Sequence, residues 1–393
     1  MADGPRALQP HEWDQLHELL ASAFRSPSGR RPDLDGSWLL HEQNRTNLRV
    51  IAEDGKVVSH AGMIHHHVSL FGCTVKVTCV GEVGTYEAYR GRGFGSQVFQ
   101  DCCDKAAADG VDFMQISGGR SLYTRVGCRR PRGELDFTIT SENVAAVRAA
   151  AERFDLAAID VEHATELSRI SRIESVRFFR PLDEWRLALR RGKVLWRDAD
   201  FWGIRRGSEL LAYLFVNPPA ALRRAPDSPP RLRVAEYAGD RAAIFATLPF
   251  LLDHYDTPVV SLYVQPDDSP FLQRLSSVGI AGEANRGGHT TIRVINFVQL
   301  MERCRPLLAE RLGDDFAREL RFASDERPGS PHGGFTISRQ SDSVRLPSVG
   351  ALANYLFGVS EGDPVVPDGS PALAAALAPA FPFPTLWYGV SYV

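Results

Sequence analysis

Between His11 and Phe24 the apolar residues Trp13, Leu16, Leu19, Leu20 and Phe24 recur near one face of a 3.6-residue period. That spacing predicts an amphipathic helix over 11–24. The pattern then shortens. Residues 48–53 and 57–64 read as strands joined by a hairpin, with Asp54-Gly55 as its turn. A second hairpin is expected around Phe71-Gly72, followed by a β-rich run from Val75 to Thr85. A glycine-rich turn at 91–95 opens a helix running to about Asp109, whose apolar stripe is Phe94, Val98, Cys102 and Ala106. A short strand, Asp112 to Ser117, comes next. Strand, loop, helix, strand implies a crossover and a parallel pair.

From about 141 the pattern restarts, and it continues through Arg293. A Pro-rich stretch, Asn217 to Arg231, reads as a surface excursion. Phe297 to Leu312 reads as a helix, Ser324 to Pro331 as a turn or loop, and Phe381 to Val393 as an aromatic tail. With 393 residues, and about 100–200 per domain, the expected division is 1–140, 141–289 and 290–393. No short-period repeat is present, although the first two regions could share one fold.

Composition narrows the classes. Hydrophobic residues make up 44% and charged residues 24%, ordinary for a globular chain, and the net charge is −3. No basic excess or charge run points to nucleic acid or to an anionic membrane. No stretch approaches the roughly 20 apolar residues of a membrane span. Met1 to Trp13 has no apolar signal core, so a cytoplasmic protein is expected. The cysteines Cys73, Cys79, Cys102, Cys103, Cys128 and Cys304 form no CxxC pair, which gives no support to a zinc or thioredoxin-type site.

The most informative segment is Cys79 to Ala107. Arg90-Gly91-Arg92-Gly93-Phe94-Gly95 sits where a strand gives way to a helix. Glycines there let backbone N–H groups approach an anion, and the helix N-terminus adds unpaired donors and the positive end of its dipole. Two arginines add mobile positive charge. This is a site for a pyrophosphate. A nucleotide P-loop needs GxxxxGK followed by Ser or Thr, and a Rossmann fingerprint needs a sixth-position glycine where this chain has Ser96.

The spacing R-x-x-G-x-G, Arg90, Gly93 and Gly95, together with Val83-Gly84-Thr85 before it, resembles the acetyl-CoA motif of the GNAT acetyltransferases. Family members often carry a proline where this chain has Glu87. The resemblance implies that the strand end splays from its neighbour, so that Val83, Gly84 and Thr85 pair with pantetheine. It also implies that the amides around Arg92, Gly93, Phe94, Gly95 and Ser96 hold the pyrophosphate. Tyr123-Thr124-Arg125-Val126-Gly127-Cys128 resembles the family's Y-x-x-x-G-[FY] signature, with Cys128 in place of the aromatic. Tyr123 then matches the tyrosine that protonates the CoA sulfur.

Acyl transfer from a thioester also needs a base for the amine. Glu82 is one candidate, because several members of the family use a glutamate from this strand. The layout further resembles the multidomain "enhanced intracellular survival" (Eis) acetyltransferases, in which the C-terminal carboxylate enters the site. That implies Val393 as the other candidate, carried on the apolar tail Leu386 to Val393. The fold implied is α+β or α/β: tandem GNAT folds, each a mixed central sheet flanked by helices, then a sterol-carrier-like α+β domain. In the second copy the turn after Leu232 carries only Gly239, which predicts a structural domain without cofactor.

The expectation is an acetyl-CoA-dependent N-acetyltransferase acting directly on a primary amine of a small molecule or a lysine. An acetyl-CoA sensor without turnover and a lipid carrier through the C-terminal domain are the rival readings. A homo-oligomer is left open. Among weaker signals, His65-His66-His67 supplies too few ligands on one strand face for a closed metal site, so no metal is expected. Cys102 sits on an apolar helix stripe and reads as core. Trp38, Asp33, Asp35 and Glu42 lie where this fold covers its acceptor site and could attract a cationic amine.

Overall fold

The computed structural model describes residues 2–24, 38–222, 230–284, 290–360 and 365–392. The chain divides into two compact units. One holds residues 1–132 and 288–383, the other 133–287 and 384–392.

The first unit opens with strand β1, Ala2–Ala7, and helix α1, Trp13–Ala23. Leu16, Leu19 and Leu20 are the buried face of α1, as the spacing predicts. Strand β2, Leu48–Glu53, turns back through Asp54 and Gly55, with φ of +51° and +77°, into β3, Lys56–Leu70. Two successive positive φ values give the type I′ hairpin that Asp-Gly favours. Phe71 and Gly72, with φ of +48° and +82°, repeat the device before β4, Cys73–Thr85. β3 runs past the expected residue 64 because the histidines continue its pairing with β4.

Helix α2, Phe94–Ala108, carries the chain across to β5, Phe113–Ile116, which lies parallel to β4. Phe94, Val98, Phe99, Cys102 and Ala106 face the core formed with Val58, Ala61, Met63 and Val80. The strand Thr291–Val294 adds antiparallel to β5 and gives the sheet order β1-β2-β3-β4-β5-(291–294). Beyond it the expected helix 297–312 is two helices, Phe297–Arg303 and Arg305–Leu312. Pro306 in the second helix's first turn offers no N–H to continue the ladder, so the chain breaks at Cys304. The rest of this unit is an antiparallel sheet of Arg321–Ser324, Phe335–Arg339, Asp342–Leu346 and Asp368–Gly369, with helices Asp314–Glu319, Val349–Phe357 and Pro371–Leu377.

Asp112 ties this C-terminal region to β5. Its side chain is fully buried and accepts from Gln299 Nε2 at 2.8 Å, Arg303 Nη1 at 2.6 Å and the Lys76 amide at 2.7 Å. Arg293, also fully buried, donates to the carbonyls of Gly329 and Ser330 and reaches Cys103 Sγ at 3.0 Å.

The second unit repeats the sheet plan. Asp155–Ala158, Asp200–Arg206, Glu209–Asn217 and Leu232–Gly239 are antiparallel neighbours in that order. Helix Arg241–His254 crosses to Val259–Val264, which is parallel to 232–239, and Leu135–Thr140 adds antiparallel beyond it. The two units thus share their strand order and the place of their parallel pair. Each takes its sixth strand from a segment that follows the other plan's boundary, 291–294 in the first and 135–140 in the second. Of the Pro-rich excursion, Asn217 ends a strand, Pro219–Leu222 is a short helix, and 223–229 lie outside the described residues. No helix among the described residues is long and apolar enough to cross a membrane.

Candidate active site

The parallel pairing of β4 with β5 ends at Val80↔Ile116. Beyond it β4 continues as Gly81 to Thr85, paired with β3 alone among the described residues. Glu82 sits in a β-bulge with φ of +51°, where the register slips between His60 and Gly62. A bulge bends the strand and raises its twist. Beyond Val80 the side of β4 away from β3, along Val83, Gly84 and Thr85, has no strand partner among the described residues.

The helix that follows starts openly. Gly91 and Gly93 have φ of +79° and +81°, conformations that a side chain makes costly. Gly93 is the N-cap of α2 and brings no side chain to the helix end. Helix geometry leaves the first N–H groups, those of Phe94, Gly95 and Ser96, without intrahelical acceptors. Thr85 Oγ1 meets Ser59 Oγ at 2.9 Å, which fixes the strand end beside Gly95. Arg90 is exposed and its Nε donates to the Thr85 carbonyl at 3.3 Å.

Arg92 differs from the expectation of a mobile charge. It forms a fork on Glu53 at 2.7 and 2.6 Å, and its guanidinium lies 4.7 Å from the centre of the Phe94 ring. The pairing holds the Glu53 carboxyl below its ordinary range and raises the guanidinium. Glu53 ends β2 just before the turn, and only the hairpin register brings it to the glycine loop.

Tyr123 lies in the short helix α3, Ser121–Arg125, and is 5% exposed. Its ring packs 5.2 Å from Phe99 and against the Cα side of Gly118, where a Cβ would stand 3.1 Å from Cε2. Burial pushes the phenol up to about 12, so it holds its proton at neutral pH. Cys128, fully buried, packs in the same core.

Two further polar side chains lie at the bulge. Glu82 is 4% exposed. His60, fully buried on β3, places Nδ1 2.7 Å from the Glu82 carbonyl oxygen, and burial pushes its imidazole down to about 4. The sequence reading missed Ser59, His60 and Glu53, because each is brought to the site by strand register rather than by any motif of its own.

The weaker candidates fall elsewhere or are already engaged. His65 pairs with Asp109 at 2.8 Å, at the far end of α2 and five residues along β3 from His60, roughly 16 Å at the strand rise. Glu42 accepts from Trp13 Nε1 at 2.7 Å and from Arg45 Nε at 2.8 Å. The Trp38 ring lies tilted against that of His41, centres 4.9 Å apart, and Trp38 opens a short helical turn whose Leu39 lies beside Gly62. Cys102 is core, as read. Among the described residues no group of three or more His, Cys, Asp or Glu could hold a metal. Asp33, Asp35 and Val393 lie outside the described residues.

The second unit handles the same features differently. Its parallel pairing ends at Val234↔Leu262. There the helix N-cap is Asp240, whose carboxylate accepts from the Ala243 amide at 2.8 Å. Glu174 accepts from the Gly239 amide at 2.8 Å and pairs with Arg241. The tail residues beyond Pro384 bind along the strand ends: Trp387 Nε1 donates to the Ala235 carbonyl, Gln265 Nε2 to the Thr385 carbonyl at 3.1 Å, and the Val390 amide to Glu236 at 2.8 Å. Carboxylates of the chain thus sit at a helix start where, among the described residues of the first unit, no side chain caps the helix, and the second unit's own tail lies along its strand ends.

Residues 5–130 match the family model of the acetyltransferase (GNAT) domain. They are a GNAT acetyltransferase domain. The chain carries such a domain over these residues, and the matched stretch contains the glycine loop, the opened strand end and Tyr123 together. A search of curated proteins finds no match. Among solved structures the chain resembles a probable N-acyltransferase from Enterococcus faecalis, described as a conserved protein of unknown function, at TM-score 0.68 and 13% identity over 98% of both chains. It resembles Eis1 from Mycobacterium abscessus at TM-score 0.62 and 17% identity, covering 94% of this chain and 95% of that one. A GCN5-related N-acetyltransferase from Kribbella flavida aligns at TM-score 0.58 and 14% identity, covering 88% and 83%. At these identities the likeness is one of fold. Acetyl-CoA is the general co-substrate of GNAT domains, and the open helix end and splayed strand suit its pyrophosphate and pantetheine.

Proposed function

We propose that the chain transfers an acetyl group from acetyl-CoA directly to a primary amine of a small molecule or a lysine side chain. The observation that carries this reading is the contrast between the two units. Among the described residues, only the first combines an opened strand end with a helix whose N-cap is a glycine and not a carboxylate. In this reading the backbone of Val83, Gly84 and Thr85 pairs with pantetheine. The amides of Arg92 to Ser96, with the side chains of Arg90 and Arg92, hold the pyrophosphate. The amine nitrogen attacks the thioester carbonyl, the C–S bond breaks, and Tyr123 gives its proton to the departing sulfur. Glu82 or the Val393 carboxylate takes the amine proton. We read the chain as three domains, 1–140, 141–289 and 290–393, the second structural and the third sterol-carrier-like in fold.

Incubation of the full chain with acetyl-CoA and a panel of amines, with a thiol reagent following free CoA, tests the proposal. Amine-dependent release supports it. Acetyl-CoA binding without release for any amine supports a sensor instead.

A further inference from the structure

We infer that the second unit binds a small organic anion, a carboxylate or phosphate carried on an apolar body, in a cavity that the acetyl transfer proposed above leaves unused. The inference is independent of that reaction and concerns a unit read there as structural.

The cavity has a volume of about 370 Å³, the size of a small-molecule site. It is lined by the last turn of the helix Ala164–Ser171 and by the segment Arg177 to Pro181 that follows. Its wall carries three guanidiniums, those of Arg172, Arg177 and Arg180, beside the rings of Phe178 and Phe179. Neither Asp nor Glu lines it among the described residues. Positive charges gathered around one small volume repel one another unless an anion joins them.

The nearby carboxylates are engaged elsewhere. Arg180 donates to Glu236 at 2.6 and 3.2 Å and to Ser391 Oγ at 2.8 Å, so its charge is matched. Glu174 turns its carboxylate to the Gly239 amide and to Arg241. Only its backbone carbonyl serves the cavity wall, accepting from Arg177 Nη1. Arg172 and Arg177 form no ion pair among the described residues, and Nε and Nη2 of Arg177 have no acceptor there. Burial holds the Arg177 guanidinium below its ordinary value; the Glu174 charge opposes that shift and the Arg172 charge adds to it. The two unmatched guanidiniums therefore feel each other's charge.

The helix end explains only part of this. Arg172 is the C-cap of Ala164–Ser171, where a cation suits the negative end of the helix dipole. The carbonyls at that end are already taken: Ser168 O accepts from the Arg172 amide at 3.3 Å, Ile170 O from the Ile173 amide at 3.1 Å, and Ser171 O from the Glu174 amide at 3.2 Å. The dipole gives no reason for Arg177 to stand near Arg172. The Arg177 guanidinium lies 5.1 Å from the centre of the exposed Phe179 ring, which holds it in place with its free N–H groups unused. A planar guanidinium matches two oxygens of a carboxylate or phosphate with paired hydrogen bonds. The ring or alkyl part of such a molecule would then lie against Phe178 and Phe179.

The test titrates the full chain with benzoate and phenyl phosphate, with benzamide and inorganic phosphate as controls. One of the two aromatic anions should bind with a Kd of about 1 mM or tighter and raise Tm; the tighter of the two names the acid group. Benzamide, with the same ring and no charge, should bind about tenfold more weakly or worse. Inorganic phosphate, with no ring, should bind more weakly than phenyl phosphate. Arg172→Gln and Arg177→Gln should each weaken the better anion about tenfold or more, the scale of one charge-assisted hydrogen bond. Phe179→Ala should weaken the aromatic anion and leave inorganic phosphate unchanged. Arg172 is exposed, so its substitution spares the packing and carries the test if Arg177→Gln does not fold. Absence of binding by both anions, equal binding of benzamide, or binding that survives Arg172→Gln overturns the inference. Release of CoA in the amine assay bears on the transfer reaction alone.

Discussion

The guanidinium of Arg92 closes on the carboxylate of Glu53, each nitrogen within 2.7 Å of one oxygen. One of the two charges offered to a pyrophosphate is therefore engaged before the cofactor arrives. Both groups stand near solvent, where such pairs are weak. Glu53→Gln should therefore tighten acetyl-CoA binding only a few-fold and make it more salt-sensitive, because a released Arg92 adds a screened charge. Arg92→Ala should weaken binding. Calorimetric titration of acetyl-CoA at two ionic strengths checks both, and looser binding by Glu53→Gln would mean that the pair itself shapes the loop.

Tyr123→Phe isolates the proton. The ring contact with Phe99 and the fit over Gly118 stay, while the phenol that burial holds at about 12 is lost. General-acid loss typically costs about 10²- to 10⁴-fold, so kcat should fall on that order with Kd for acetyl-CoA nearly unchanged. Steady-state kinetics with the best amine decide it. Equal turnover removes Tyr123 from the chemistry.

Glu184, in the first turn of the helix Leu182–Arg191, has its carboxyl pushed up to about 7 from 4.5, mainly by burial. The folded chain therefore binds this proton more tightly than the unfolded chain does. Stability from this group is full below about pH 4.5, declines as pH rises towards 7, and stays reduced above it. Glu184→Gln keeps a partner for Ser391 Oγ, 3.2 Å away, and removes the charge. It should flatten the pH dependence and stabilise the protein at pH 8, by at most on the order of 3 kcal/mol. Denaturant unfolding at pH 5 and 8 measures this, and an unaltered pH slope in the variant would refute it.

How far the sequence reaches depends on the range of the interaction. The turns at Asp54-Gly55 and Phe71-Gly72, the α1 stripe and the R-x-x-G-x-G loop are local, written in consecutive residues, and the structure follows them. The break at Cys304 was also local, but the proline behind it was outweighed by the apolar pattern on either side. Glu53 and His60 were invisible for another reason. They meet the loop only through β2–β3 and β3–β4 register, and the bulge at Glu82 shifts that register by a residue that no propensity marks. The filled helix end of the second unit was half legible. The missing glycines showed in the sequence, whereas Glu174 arrives from about 65 residues away.

Gly389 offers a way to separate the two candidate bases. Its φ is +51°, and a Cβ there would stand 1.7 Å from Glu236 Oε2. Glu236 cannot easily yield, since Arg180 and Tyr213 hold it while Arg180 also binds the Tyr388 carbonyl and Ser391 Oγ. Gly389→Ala should therefore free the end of the tail rather than move the carboxylate. Carboxypeptidase should trim the variant faster than the parent chain, and equal trimming rates would show that the tail absorbs the methyl group. Once the tail is loosened, kinetics discriminate. If the Val393 carboxylate is the base, kcat falls with tail release, and deletion of Ser391 to Val393 reproduces the loss. If Glu82 is the base, kcat survives both changes and collapses in Glu82→Gln, while acetyl-CoA affinity holds in all three.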